Sequence, residues 1–159
     1  PAKFKMTKPK YQGIKHAEIN KFEIPDDGGF VEVIAGKYKG VEGAASTYSA
    51  MEVYNIKIKA GKSLSFDLPA TYNTGMLVVE GGIKVNETET AVADQFIHFK
   101  NEGTDILLEA VEDSSILFLS GEPILEPIAA YGPFLMNKPE EIQQALADYN
   151  HGKFGYLEE

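Results

Sequence analysis

A regular series of short apolar segments separated by turn residues, from about Ile19 to Leu119, constrains the fold of this chain more than any other feature. Within 54–58 and again within 64–68, large apolar residues alternate with polar ones, which is the period of a strand with one buried face. The stretch PDDGG at 25–29 is typical of a turn. Many short strands joined by such turns predict an all-β fold, an antiparallel β-barrel or sandwich.

Further strands are predicted in the second half of this region. The segment 75–89 favours a hairpin that turns at Glu80, Gly81 and Gly82, because glycine adopts positive φ without strain. The sequences QFIHFKN, DILLEA and SSILFLSG each predict one more strand.

Beyond Gly121 the pattern changes. Four prolines fall within 122–139, and since proline lacks an amide donor we expect no regular element there but an extended strap over the barrel. A C-terminal helix is predicted for 139–150, with Asn137 as its cap and Gly152 as its stop. Its apolar residues share one face: Ile142, Ala145, Leu146 and Tyr149.

Residues 1–18 show no sustained periodicity and are predicted to form a linker. The expected organisation is therefore a linker at 1–18, a barrel at 19–120, and a strap with a helix at 121–159 that belongs to the same domain. A chain of 159 residues suits one domain that buries roughly 70% of its unfolded surface.

Composition and charge indicate the cellular compartment and the classes of partner that the chain can bind. The chain has no cysteine, which indicates a reducing cytoplasm. Its net charge is −9 and its basic residues are all lysines, so it lacks the guanidinium groups that read bases and phosphates, and it repels a polyanion. No apolar run approaches the ~20 residues that span a bilayer. We therefore expect neither nucleic acid nor membrane as a partner.

The segment AGKSLSFDLPATYNTGMLVVEGG, residues 60–82, has the spacing of a metal site without its ligands. It resembles the motif of metal-binding cupin domains, in which Gly, five residues, His-x-His, three or four residues and Glu precede a similar strand and turn. The corresponding positions hold Asp67, Pro69, and Asn73 or Thr74. Because a first-row metal prefers imidazole and carboxylate ligands, the prediction is that no metal binds here.

The three histidines do not restore this site. A second cupin motif places a histidine four residues before Asn101, where this chain has Ile97, and His98 is one residue away. If Ile97 and Phe99 point into the barrel, His98 points outward. His16 and His151 have no ligand cluster nearby in the sequence and are interpreted as structural or solvated. The sequence thus predicts no catalytic, cofactor-binding or metal-ligating residue in this chain.

Whether the barrel keeps a cavity is left open by the sequence. A small cavity lined by Tyr54, Phe66 and Tyr72 is one outcome, and an interior filled by side chains is the other. The apolar strap residues Pro133 and Phe134, with Met136, either seal the barrel or face a partner barrel.

Two further stretches carry a family resemblance that covers nearly the whole chain. Residues 121–155, GEPILEPIAAYGPFLMNKPEEIQQALADYNHGKFG, resemble the C-terminal domain of the pirin family, and the opening PAKFKMTKPKYQGI is similar to the linker between the two pirin domains. The resemblance implies two cupin barrels in one polypeptide, with a divalent metal, iron or similar, held by the N-terminal barrel. Members of the family have been linked to quercetin 2,3-dioxygenase activity and, in eukaryotes, to transcriptional co-regulation.

The resemblance implies that this chain is a metal-free structural partner of an N-terminal metal-binding barrel, whose site it helps to wall. Any metal-dependent dioxygenase chemistry would then belong to the whole protein. The alternatives are a small-molecule-binding cupin and a protein-interaction or co-regulator module. We expect a surface near the chain ends to contact the N-terminal barrel or a second copy: Phe4, Met6, Tyr11, Phe154, Tyr156 and Leu157.

Overall fold

The computed structural model describes residues 1–155, so Tyr156 and Leu157 of the predicted partner surface lie outside the described residues. The chain divides into two compact units. One is Lys10–Pro123, and the other combines Pro1–Pro9 with the chain from Ile124 onward. The predicted linker, 1–18, is therefore divided between the two units, and the predicted strap lies in the smaller unit from Ile124 onward.

The larger unit consists of strands apart from a short 3₁₀ helix, His16–Glu18. Its strands are β1 (Asn20–Ile24), β2 (Gly29–Ala35), β3 (Lys37–Tyr38), β4 (Val41–Glu42), β5 (Met51–Ile58), β6 (Ser63–Asp67), β7 (Asn73–Glu80), β8 (Gly82–Val85), β9 (Glu89–Val92), β10 (Phe96–His98), β11 (Asp105–Ala110) and β12 (Ser114–Gly121). One sheet has the order β1-β2-β5-β12-β7-β10, a second has β6-β11-β8-β9, and β3 pairs with β4. All pairs of named strands are antiparallel, which confirms the predicted all-β antiparallel fold.

Alternating burial along the strands builds one core. In β6 the side chains of Leu64 and Phe66 are buried while their neighbours are exposed, and β11 repeats the alternation with Ile106 and Leu108. These residues join the buried side chains of the larger sheet in a single cluster. The period of two that the sequence shows is therefore the period of burial.

The predicted hairpin at Gly81 is wrong. Strand β7 pairs with β12 and β10, whereas β8 pairs with β11 and β9 in the other sheet. Gly81, with φ +80, alone separates them. A Cβ there would lie 2.3 Å from the carbonyl oxygen of Asp113. The glycine thus makes a corner that carries the chain from one sheet to the other.

The smaller unit contains a hairpin, so the prediction that 122–139 holds no regular element is also wrong. Its strands are β13 (Ala129–Tyr131) and β14 (Phe134–Met136). Pro133 lies in the turn between them, and Pro139 is the first residue of the following helix. Because the prolines occupy a turn and a helix start, where no amide donor is needed, they do not interrupt the hairpin.

The predicted helix is present as α1 (Pro139–Asn150), but Asn137 is not its cap. Lys138 occupies the N-cap position, and the Glu141 carboxylate accepts the backbone N–H groups of Asn137 and Lys138 at 3.0 and 2.9 Å. The Asn137 amide instead donates to the carbonyl oxygen of Pro127 at 2.9 Å.

Most of the other predictions for this helix agree with the structure. Ile142 and Ala145 are buried, Leu146 is half-buried, and Tyr149 is exposed. Gly152 has φ +72 and ends the helix as predicted, its N–H donating to the Tyr149 carbonyl. In the part of the chain that is described, no helix is long and apolar enough to cross a membrane.

Candidate functional site

The positions that correspond to metal ligands do not converge in the barrel. Asp67, Pro69 and Asn73 are exposed. Thr74 is buried, and its hydroxyl lies 2.7 Å from that of Ser120, with which it shares a hydrogen bond. The inward positions beside the predicted slots are instead apolar, since Phe66 is in the core cluster and Leu68 packs against it.

His98 points outward, as predicted. It is exposed, whereas Ile97 and Phe99 on either side of it pack against the core. Strand β10 places Ile97 opposite Met76 and His98 opposite Gly75. The one-residue offset in the sequence therefore moves the imidazole to the other face of the strand.

These donors do not fit a first-row metal. Within residues 1–155 there is no group of three or more His, Asp or Glu side chains placed to hold an ion. The inward side chains at the motif are hydrocarbon or hydroxyl groups, which are poor partners for such metals. No chemical step through a metal can be derived from the residues that the structure describes.

A stack of aromatic rings fills the interior instead. The rings of Phe66 and Phe118 lie 4.4 Å apart at 15°, and Tyr54 stacks on Phe118 at 5.3 Å. Tyr38 adds a fourth ring, 5.3 Å from Phe66 and 5.5 Å from Tyr54. Tyr72 lies apart, on a small pocket of about 60 Å³. The stack therefore fills the centre of the barrel, while Tyr54 and Phe66, two of the three residues predicted to line a cavity, also border a pocket of about 350 Å³.

Two buried tyrosines in this stack stay neutral hydrogen-bond donors. Burial, together with the adjacent Glu52 carboxylate that accepts the Tyr54 hydroxyl hydrogen, raises the pKa of Tyr54. Burial also raises the pKa of Tyr38 to about 12, and the Tyr38 hydroxyl donates to the carbonyl oxygen of Ser65 at 3.2 Å. Neither phenol can act as a base near neutral pH.

Tyr38 gives a direct optical test of this arrangement. A tyrosine whose folded pKa is raised contributes stability that is full below the unfolded pKa, about 10, and is lost as pH rises through the folded pKa. Absorbance titration near 295 nm should show an ionisation near pH 12 that Tyr38→Phe removes. Tyr11→Phe, at a 93% exposed position, is the control. Loss of an ionisation near 10 from Tyr38→Phe would mean that Tyr38 is not buried.

The pocket of about 350 Å³ lies against the stack, and three of the four rings, those of Tyr38, Tyr54 and Phe66, line it. The strand segments around it are 37–39, 52–54, 65–68 and 105–107. Its walls combine the edge of β6 and the end of β11 with the short hairpin of β3 and β4. This is the larger of the two pockets described at this end of the barrel.

A buried carboxylate forms a second polar site that the sequence does not reveal. Glu32 is only 3% exposed, and it accepts hydrogen bonds from Asn55 and His16 at 2.6 Å and pairs with Lys21 at 3.0 Å. Burial alone would raise the pKa of Glu32, but the bonds from Asn55, Lys21 and His16 outweigh it and hold the pKa below its usual value. His16, predicted to be structural or solvated, ties the 3₁₀ helix to β2.

The partner-surface residues differ in exposure. Met6, Tyr11 and Phe154 are strongly exposed, while Phe4 is half-buried. The Phe154 ring lies 6.0 Å from that of Phe134. Tyr11 belongs to the larger unit and the others to the smaller one.

Several known proteins resemble this chain in sequence. The family described as the Pirin C-terminal cupin domain matches residues 53–155. A Pseudomonas aeruginosa protein named provisionally as a quercetin 2,3-dioxygenase is 39% identical over 154 residues, which cover 97% of this chain and 54% of that protein. Human pirin is 28% identical over 156 residues, which cover 96% of this chain and 53% of pirin.

A solved structure extends the likeness to the fold. Quercetin 2,3-dioxygenase from Acinetobacter baumannii superposes with a TM-score of 0.87 at 37% identity, over 99% of this chain and 55% of that one. The chain thus spans about half the length of the relatives it matches. The predicted cupin-type fold is confirmed.

Proposed function

Because this chain belongs to the pirin family, we propose that it serves as the metal-free structural partner of a metal-binding N-terminal cupin barrel. Its share of the work is to pack against that barrel and complete the wall of its site. The proposal extends to the whole protein, which would carry out metal-dependent dioxygenation in a reducing cytoplasm with iron or a similar metal outside this chain.

The observation that carries the proposal is the apolar surface of the smaller unit. Among its described residues only Ile142 and Ala145 are buried apolar side chains. Eight large apolar side chains are exposed: Met6, Ile124, Leu125, Ile128, Tyr131, Leu135, Tyr149 and Phe154. Single exposed apolar residues are normal on protein surfaces, but eight of them on one small unit favour an interface.

Polar contacts join the two chain segments of this unit. The Glu126 carboxylate accepts the backbone N–H of Ala2 at 2.7 Å, and the Lys5 ammonium donates to the carbonyl oxygen of Leu135 at 2.9 Å. The first residues of the chain are thereby fixed to the hairpin. A hydrogen-bonded unit with an apolar exterior favours a docking surface.

The filled interior supports the assignment of chemistry to the other half. The A. baumannii neighbour is named a quercetin 2,3-dioxygenase, and this barrel has aromatic rings where a metal site would need donors. A protein-interaction module is the second candidate, since the same exposed surface would suit it. The small-molecule alternative would use the pocket of about 350 Å³ that Tyr54 and Phe66 line.

The test is association in solution. The chain should bind the separately produced remainder of the P. aeruginosa relative at micromolar concentration in sedimentation velocity. Leu125→Asp and Ile128→Asp change residues that are 90% and 78% exposed, so the fold should survive. Each should weaken association at least about tenfold, because a charge placed in an apolar contact is left unpaired and loses its water.

Val111→Asp is the matched control, since Val111 is an exposed apolar residue of the larger unit. A chain that stays monomeric and ignores the other half would contradict the proposal. A chain that self-associates through Leu125 and Ile128 but ignores the other half would favour the interaction module.

A further inference from the structure

Strand β6 ends its sheet and presents unpaired backbone on one side. It is the terminal strand in the order β6-β11-β8-β9. The Leu68 N–H donates to the Thr104 carbonyl in the same register that places Phe66 opposite Ile106. In an antiparallel ladder hydrogen-bonded pairs alternate with non-hydrogen-bonded ones, so the backbone groups of Ser65 and Asp67 face away from β11.

A side-chain contact confirms this direction. The Tyr38 hydroxyl reaches the Ser65 carbonyl oxygen from the hairpin of β3 and β4. Ser65 and Asp67 both line the 350 Å³ pocket, whose size is within the range of about 300–1,000 Å³ for ligand sites. The Ser65 N–H and both backbone groups of Asp67 therefore border the pocket, and Tyr38 blocks the edge beyond Ser65.

The pocket is lined by charges of both signs. Lys37 pairs with Glu42, and the Lys39 ammonium lies over the rings of Phe22 and Tyr38. Asp67 lies opposite Asp105 in the register, both are exposed, and both line the pocket. They form a non-hydrogen-bonded pair, in which side chains are closest, and like charges directly opposite one another destabilise a sheet. A cation placed beside the two carboxylates would relieve that repulsion.

We propose that this pocket takes a short extended polypeptide segment that adds to β6 as a strand and places a basic side chain next to Asp67, on the face of the sheet that also carries Asp105. The segment pairs with the two backbone groups of Asp67 and with the Ser65 N–H. Its flanking side chains point to the opposite face, toward Phe66 and Leu68, and are apolar. The proposal is independent of the function proposed above.

The test uses a defined probe, the peptide acetyl-Thr-Val-Lys-Val-Thr-amide, titrated into the chain at low ionic strength and followed by amide NMR. The Ser65 and Asp67 amides should shift and become protected from hydrogen exchange. The same peptide with Glu in place of Lys should bind more weakly, by up to about fivefold, which is the scale of an exposed ion pair. A peptide methylated on the lysine backbone nitrogen should lose binding, because the donor to the Asp67 carbonyl is gone.

Asp67→Asn and Asp105→Asn should each reduce the preference for Lys over Glu, while Glu89→Gln, an equal charge change on the exposed edge strand β9, should not. The amide spectrum shows directly whether each variant is folded, and two variants make the test independent of either one. The proposal is overturned if millimolar probe leaves the Ser65 and Asp67 amides unshifted, if the shifts lie elsewhere, or if both peptides bind equally.

Discussion

Phe118→Ala is expected to lower the free energy of unfolding by about 3–5 kcal/mol, the range for removing a buried phenylalanine. Phe118 is fully buried and stacks on both Phe66 and Tyr54. Its loss removes ring contacts on two sides and leaves a cavity that the rigid sheets cannot close. Since small domains are stable by only about 5–15 kcal/mol, urea denaturation should show a large fall in the midpoint.

Tyr11→Ala is the matched control for this prediction, because it deletes an aromatic ring that is 93% exposed. It should change the unfolding free energy by no more than about 0.5 kcal/mol. If the two substitutions had similar effects, the aromatic stack would not be the structural centre of the barrel.

The second large effect is expected at Glu32. Glu32→Ala removes the acceptor of the Asn55 side-chain amide and the partner of Lys21. Leaving a buried donor without an acceptor costs about 1–3 kcal/mol, and the half-buried Asn55 amide should approach that range. His16, whose side chain is largely exposed, can instead return to water. Chemical denaturation at neutral pH measures the difference. His16→Ala should therefore cost clearly less than Glu32→Ala, and the reverse order would contradict this account.

The same carboxylate predicts a pH dependence with a definite sign. The folded pKa of Glu32 is lowered, so its contribution is full above the unfolded pKa of about 4.3 and is lost as pH falls through the folded value. Glu32→Gln should flatten this acid limb of the stability curve. Glu23→Gln, an exposed position in β1, should leave it unchanged. A limb that survives in Glu32→Gln would assign the acid sensitivity to other groups.

The sequence predicts this fold where burial follows the local period. The outward placement of His98 follows from the apolar residues on either side, and the helix end at Gly152 follows from one local residue. The corner at Gly81 could not be predicted, because alternation in β7 and β8 says which side chains are buried but not which sheet each strand joins. Asn137 is of a residue type that often caps helices, but here its backbone N–H donates to Glu141 and its side-chain amide donates to the Pro127 carbonyl.

The candidate sites depend even more on long-range contacts. Glu32 reads as an ordinary outward polar residue of an alternating strand, and only the placement of His16 and Asn55 against it reveals the buried network. Tyr38 lies in a strand of two residues, which is too short for any period to be recognised. The free edge of β6 exists only once the order of the sheet is known.

The filled barrel also determines which positions would have to change if a metal centre were engineered into this fold. Histidines introduced at Asp67 and Pro69, where the sequence motif places them, would project into solvent. The inward positions are Phe66 and Leu68, so grafted imidazoles must replace one ring of the stack, and its neighbours must be redesigned to fill the remaining space. Occupancy by aromatic rings is therefore a barrier to introducing metal chemistry, one that a single substitution does not remove.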